Sequence, residues 1–181
     1  MAKHRLTKVT TRAGDKGTTK LATGKTVTKD HAIVLTMGSI DELNAFVGSL
    51  LSVTAADHQV PLKQIQQDLF DMGAVFAMEG SFDPPALDAL ENLTATLNET
   101  LPPLTEFVLP GGGESASRSH ICRTVCRRAE AQTWALINAD SPPAYSACAQ
   151  YLNRLSDYFF VLARALTETA EEQWQGPDRG S

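Results

Sequence analysis

The chain has 181 residues, 43% of them hydrophobic and 20% charged, which excludes disorder or a collagen-like repeat for its bulk and suits one domain with a buried core. Sixteen Lys and Arg against 21 Asp and Glu give a net charge of −5, a poor balance for a general nucleic-acid coat. Three cysteines, Cys122, Cys126 and Cys148, are an odd number for a disulfide framework and point to a reducing compartment. No apolar h-region follows Met1, and no apolar run approaches the roughly 18 residues that a membrane span needs, so a soluble, cytoplasmic chain is expected.

Residues 1–36 carry no sustained helical period and are rich in Thr, Lys and Gly. From Gly38 the pattern changes: Ile40, Leu43, Phe46, Val47, Leu50 and Leu51 recur at helical spacing and predict a first helix over about 39–55. Ser39 is its expected N-cap, with Glu42 completing a capping box. After Pro61, the stripe Leu62, Ile65, Leu69, Met72 and Phe76 predicts a second helix. Pro84 and Pro85 open a third, whose stripe runs Leu87, Leu90, Leu93, Leu97 and Leu101. Pro102, Pro103, Pro110 and Gly111-Gly112-Gly113 break the pattern. A fourth helix is expected over about 114–138, and a turn at Pro142 and Pro143 starts a fifth over about 143–172. The tail QGPDRGS should fray. With no internal repeat, these elements describe an all-α fold: a five-helix bundle with an N-terminal loop segment packed against it.

The fourth helix holds the densest chemistry. His120, Arg123, Arg127 and Glu130 are spaced 3, 4 and 3 residues apart and share an arc of about 80° on one helix face, with Arg128 adjoining. Such a cluster is either a solvated face or an anion site; paired guanidinium forks suit polyphosphate. The preceding triple glycine suits close approach of a ligand to backbone. On the fifth helix, Asn153, Arg154, Asp157 and Tyr158 lie within one turn of one another, and Arg154–Asp157 reads as a helix ion pair. Near the N-terminus, Thr10 to Lys20 mixes glycines, hydroxyls and cations, the makings of a phosphate cradle or of a plain surface loop. It has neither the Walker A spacing nor a dinucleotide fingerprint. A zinc site from His120, Cys122 and Cys126 is not expected, because His120 points away from Cys122 and no fourth ligand stands at a recognisable spacing; the cysteines read as small core residues. No nucleophile–base pair is evident, which suits chemistry carried by bound molecules.

Together these segments resemble the PduO-type ATP:cob(I)alamin adenosyltransferases. The matching motifs are TRAGDKGTTKL (11–21), the lysine of TKD (28–30), GSIDELNAFVG (38–48), FVLPGGG (107–113), HICRTVCRRAE (120–130) and NRLSDYFFVLAR (153–164). The resemblance implies a five-helix bundle assembled as a homotrimer, with ATP and cobalamin between neighbouring subunits. It implies that Thr11, Arg12, Ala13, Gly14, Thr19, Lys20 and Lys29 bind ATP, with Arg127, Arg128, Glu130 and Asn153 completing the nucleotide site. Asp41 and Arg123 match a salt bridge across the subunit interface. Phe107 matches the aromatic beneath the corrin ring. Ile33, Met37 and Ala131 depart from residues common at those positions in the family. The domain layout so implied is a single unit over 1–181: an ATP-binding loop region 1–37, a helical bundle 38–172 and a tail 173–181. The implied activity is transfer of the 5′-deoxyadenosyl group of ATP to the cobalt of cob(I)alamin, with Arg127, Phe107, Asp41 and Arg123 carrying it and Mg²⁺ assisting. A non-catalytic trimer that holds or delivers adenosylcobalamin is the alternative, and a purely structural bundle a third. The implied partners are a flavoprotein reductase and an adenosylcobalamin-dependent enzyme, with no nucleic acid, no membrane and no resident metal.

Overall fold

The structure, a computed structural model, describes residue 10 and residues 12–82, 85–139 and 145–176. Five helices follow a small hairpin: α1 Ala32–Leu51, α2 Ala56–Met78, α3 Pro85–Asn98, α4 Glu114–Asn138 and α5 Tyr145–Ala165. The hairpin pairs β1 Thr18–Lys20 with β2 Thr26–Thr28 antiparallel, Thr19 opposite Val27. The all-α bundle expected from the sequence is therefore present, with a two-stranded element inside the segment read as loop.

The helices pack as a folded row. α4 lies against both α1 and α5, α1 carries α2 on its other side, and α5 carries α3. The core forms from Leu43, Val47 and Leu50 of α1, Leu69, Met72 and Phe76 of α2, and Leu152, Leu155 and Phe159 of α5. α4 contributes smaller side chains. Its buried positions include Ala116, Ser119, Cys122, Cys126, Ala129 and Thr133. Small residues let two helix backbones approach closely, and here the polar ones use that approach. Ser119 Oγ donates to the Phe159 carbonyl at 2.8 Å, and Cys126 Sγ to the Leu152 carbonyl at 3.0 Å. On the opposite side, Ser39 Oγ donates to Oε1 of Gln132 at 2.5 Å, joining α1 to α4.

Several boundaries differ from the expectation. α1 begins at Ala32, so Ser39 is buried in mid-helix and caps nothing. The cap is His31, whose Nδ1 accepts from the Ile33 N–H at 3.2 Å. Glu42 does not fold back as a capping box but pairs with Arg128 of α4. An 18-residue window of α1 reaches a mean hydropathy of 1.2, long and apolar enough to cross a membrane, against the expectation from the sequence; Ile33, Ile40, Leu43, Val47 and Leu50 of this helix are buried within the bundle. α2 begins at Ala56 and takes Pro61 into its second turn, forgoing the one hydrogen bond that a proline cannot donate. α5 ends at Ala165, seven residues short of the expected 172. The starting proline turns at Pro84 and at Pro142–Pro143, and the end of the tail, lie outside the described residues.

The chain beyond α5 is paired with the loop before α4 as far as Trp174. Val108 and Gln173 form an antiparallel bridge, with the Leu109 N–H donating to the Glu172 carbonyl and the Trp174 N–H to the Phe107 carbonyl, both at 2.8 Å. The triple glycine has a reason other than ligand approach. Gly112 has φ +92°, and a Cβ there would lie 2.7 Å from Oγ1 of Thr167; one on Gly113, at φ +106°, would lie 3.0 Å from Cδ of Glu168. These two glycines admit the chain leaving α5.

Candidate active site

α4 grades its polar face by depth. His120 is only 5% exposed, Arg123 and Glu130 are half-buried, and Arg127 and Arg128 are exposed. Arg123 Nε donates to Nδ1 of His120 at 3.4 Å, which marks that nitrogen as the unprotonated one. The imidazole also lies 6.3 Å from the ring of Phe160. Burial, then the charge of Arg123, holds its pKa below the ordinary 6.5. Burial and the neighbouring Arg127 lower the pKa of Arg123 in turn.

A cavity of about 590 Å³ lies between the loop after α3 and the facing sides of α4 and α5, lined in part by Phe107, Arg123, Arg127, Ser156, Asp157 and Phe160. Three of the residues singled out from the sequence thus meet on one space. Asp157 belongs to it as well, although its helical spacing predicts a pair with Arg154. That pair is not formed: Arg154 Nε donates instead to Glu91 of α3 at 2.7 Å. The helical spacing of Asp157 from Asn153 was the signal available for it. A larger cavity, about 890 Å³, opens between α2 and α3. Its walls are mainly apolar, and it includes none of the candidate site residues.

Toward the C-terminal side of the cluster, Asn153 is oriented by two partners. Its Nδ2 donates to Glu130 Oε1 at 3.2 Å, and its Oδ1 accepts from Arg154 Nη1 at 2.7 Å. Arg128 is committed to Glu42. Asp41 is exposed, and no ion pair joins it to Arg123 among the described residues.

The N-terminal candidates sit elsewhere. Arg12 takes a left-handed backbone at φ +59°, and a turn follows in which the Gly17 N–H donates to the Gly14 carbonyl at 3.1 Å. The Lys29 N–H donates to the Gly17 carbonyl at 2.9 Å, closing the segment on itself. Gly14 is close under Lys29: a Cβ there would lie 2.8 Å from both Cε and Nζ. Thr19 and Lys20 lie on β1. The hairpin is anchored by buried Leu21 and Val27 and by the Ala22 N–H donating to the Ala77 carbonyl of α2 at 3.0 Å. Thr11 lies outside the described residues. The sequence candidates therefore form two groups, one at the hairpin beside the end of α2 and one along α4 and α5. Cys122, Cys126 and Cys148 are buried free thiols, and burial pushes Cys122 and Cys148 up to about 12.

The burial of neutral His120 makes stability depend on pH. Its folded pKa is depressed, so its full contribution is present above the ordinary 6.5 and is lost as pH falls, when the unfolded chain takes up the proton first. Denaturant midpoints measured from about pH 7 to about pH 5 should fall less steeply for His120→Gln than for the unaltered chain. Equal slopes would show that His120 does not contribute this linkage.

The sequence matches the family model described as Cobalamin adenosyltransferase over residues 9–166. It is 43% identical over 180 residues to a cobalamin adenosyltransferase of Cupriavidus metallidurans, covering 95% of this chain and 96% of the relative. It is 40% identical over 191 residues to the corrinoid adenosyltransferase of Mycobacterium tuberculosis, covering 99% and 98% of the two chains. Among solved structures it is similar to a phenylalanine-to-histidine variant of a PduO-type ATP:corrinoid adenosyltransferase from Lactobacillus reuteri complexed with cobalamin and ATP, with TM-score 0.86, 31% identity and coverage of 93% of this chain and 97% of that one. With its five helices in the same arrangement and the family's sequence match running from the hairpin to the end of α5, this chain belongs to the PduO-type cobalamin adenosyltransferase family.

Proposed function

We propose that this chain transfers the 5′-deoxyadenosyl group of ATP to the cobalt of reduced cob(I)alamin, giving adenosylcobalamin and triphosphate. The electron pair of Co(I) forms the Co–C5′ bond, and the C5′–O bond breaks with its pair leaving on triphosphate. No proton moves, so the reaction needs no general base. The protein's part is alignment of C5′ with cobalt and neutralisation of the leaving group. The observation that carries this reading is the shared cavity of Phe107, Arg123 and Arg127, which brings two cations of α4 and an aromatic ring of the loop after α3 to one space. The family match and the cobalamin- and ATP-complexed relative support it. A trimer that only holds adenosylcobalamin is not favoured by relatives named as transferases.

In this reading Thr11, Arg12, Ala13, Gly14, Thr19, Lys20 and Lys29 bind the phosphates, and Arg127, Arg128, Glu130 and Asn153 complete the nucleotide site. The separation of these two groups within one chain supports a homotrimer in which each site draws on two subunits. Asp41, exposed and without an ion pair to Arg123 in its own chain, is available to the Arg123 of a neighbour. Mg²⁺ belongs to the reaction as expected from the family. Among the described residues no three His, Cys, Asp or Glu side chains are grouped to hold a metal, so Mg²⁺ would be carried by the phosphates of ATP. Phe107 would cover the lower face of the corrin and keep the axial position of Co(II) empty, which eases its reduction. A flavoprotein reductase would supply the electron, an adenosylcobalamin-dependent enzyme would receive the product, and the buried free thiols suit a cytoplasmic setting.

Four measurements bear on this assignment. Anaerobic absorbance of reduced cobalamin with ATP and Mg²⁺ should show formation of the cobalt–carbon bond. In Phe107→Ala, ATP affinity should stay near normal while the four-coordinate Co(II) signal and most of the rate from Co(II) are lost; a lost ATP affinity with an intact Co(II) spectrum would overturn the role given to Phe107. Gly14→Ala should displace the Lys29 ammonium and weaken ATP binding about tenfold, the size expected for losing one charge-assisted contact, with little change in melting temperature. Sedimentation should show a trimer that Arg123→Ala weakens, and a fully active monomer would rule out the shared site.

A further inference from the structure

Phe107 is 76% exposed, so the bundle does not fix the direction of its ring. The chain leaving α5 does. Trp174 meets Phe107 edge-on, with ring centroids 6.3 Å apart. Main-chain bonds on either side of Val108 tie residues 107 and 109 to Trp174 and Glu172. Gln173 Nε2 donates to Thr105 Oγ1 at 3.0 Å. At the far end of the loop, the Glu168 N–H donates to the Gly112 carbonyl at 2.9 Å. At the near end, Arg164 joins both segments. Its guanidinium is 3% exposed, donates from Nη2 to the Pro102 carbonyl at 2.8 Å, and grips Glu171 through Nε at 2.7 Å and Nη2 at 3.2 Å. A buried guanidinium with a bidentate carboxylate is a rigid joint. The loop from Pro102 to Gly112 is thus held in its middle and at its far end by the strip after α5, and at its near end by Arg164 of α5, which also holds the strip through Glu171.

We propose that the strip Leu166–Gly176 sets the orientation of Phe107 at the corrinoid, with Trp174 and Glu171 as positioning residues for the reduction-dependent part of the reaction. This rests on the role given to Phe107 above. Neither side chain lines the cavity of Phe107, Arg123 and Arg127, so each acts through the loop. The strip governs how well the lower axial position is closed, and leaves nucleotide binding alone.

The test compares full-length Trp174→Ala, Trp174→Phe, Glu171→Gln and Phe107→Ala. The readouts are the four-coordinate fraction of bound cob(II)alamin in the presence of ATP, the rate from Co(II) against the rate from pre-formed Co(I), ATP affinity and the unfolding midpoint. Trp174→Ala should lower the four-coordinate fraction and the Co(II)-dependent rate about fivefold, the size expected for losing one aromatic pair. The Co(I) rate and ATP affinity should hold. Trp174→Phe, which keeps a ring, should restore most of the signal, and Glu171→Gln should shift it in the same direction as Trp174→Ala. An unchanged spectrum in Trp174→Ala beside a lost one in Phe107→Ala would overturn the proposal while leaving Phe107 its role. Unchanged spectra in both would remove the role of Phe107 and the positioning argument together. A uniform loss of all readouts, not recovered by Trp174→Phe, would reduce the strip to a fold element and overturn the proposal.

Discussion

The close seam between α4 and α5 is the constraint on which the rest depends. Ser119 and Cys126 reach across it to mid-helix carbonyls of α5, which is possible only where the facing side chains are small. A carbonyl already bonded within its own helix keeps a second lone pair, so these donors are satisfied without breaking either helix. The same seam fixes the rotation of both helices. With Ala116, Ser119, Cys122, Cys126 and Ala129 turned inward, Arg127 is left facing outward on the side of Asp157 of α5, and Arg128 on the side of α1, where it meets Glu42. A larger side chain at Cys126 or Ala129 would separate the helices and take the Glu130–Asn153 contact with it.

Depth along α4 then sorts its charges by use. His120 is buried and neutral, and serves as an acceptor that orients Arg123. Arg123 is partly desolvated, so an anionic partner gains more from meeting it than from meeting a fully hydrated cation. Arg127 is exposed and free of the four ion pairs present among the described residues. Arg128 spends its charge within the chain on Glu42, tying α1 to α4. Four neighbouring basic or ionisable groups on one helix thus have different energies toward an anion, set by burial and partners alone.

Much of this was legible in the sequence. The bounds of α4 followed from Gly113 before it and the apolar pattern within it, and the shared face of Arg123, Arg127 and Glu130 followed from a 3.6-residue period. The start of α1 was hidden because Ala32 to Met37 is rich in β-branched residues and preceded by no standard cap. His31 caps instead, and burial of Ile33 and Thr36 overrides propensity. The strip after α5 reads as helix continuation, since Leu166 to Glu172 has no proline or glycine. Its pairing with Val108 is a contact across some 65 residues that no local pattern encodes. Asp157 was visible but assigned to the wrong partner, because helical spacing cannot reveal that Glu91 of α3 lies closer to Arg154.

The glycines after Pro110 bear on how this chain can vary over time. Gly112 and Gly113 are required by what lies opposite them, the side chains of Thr167 and Glu168, as well as by their own positive φ. Two segments more than fifty residues apart therefore share one allowance of volume. A drift in either is tolerated only if the other keeps room for it, so the two segments should change together among descendants, and a graft that transplants the glycine loop without the residues after α5 should inherit its sequence and lose its shape.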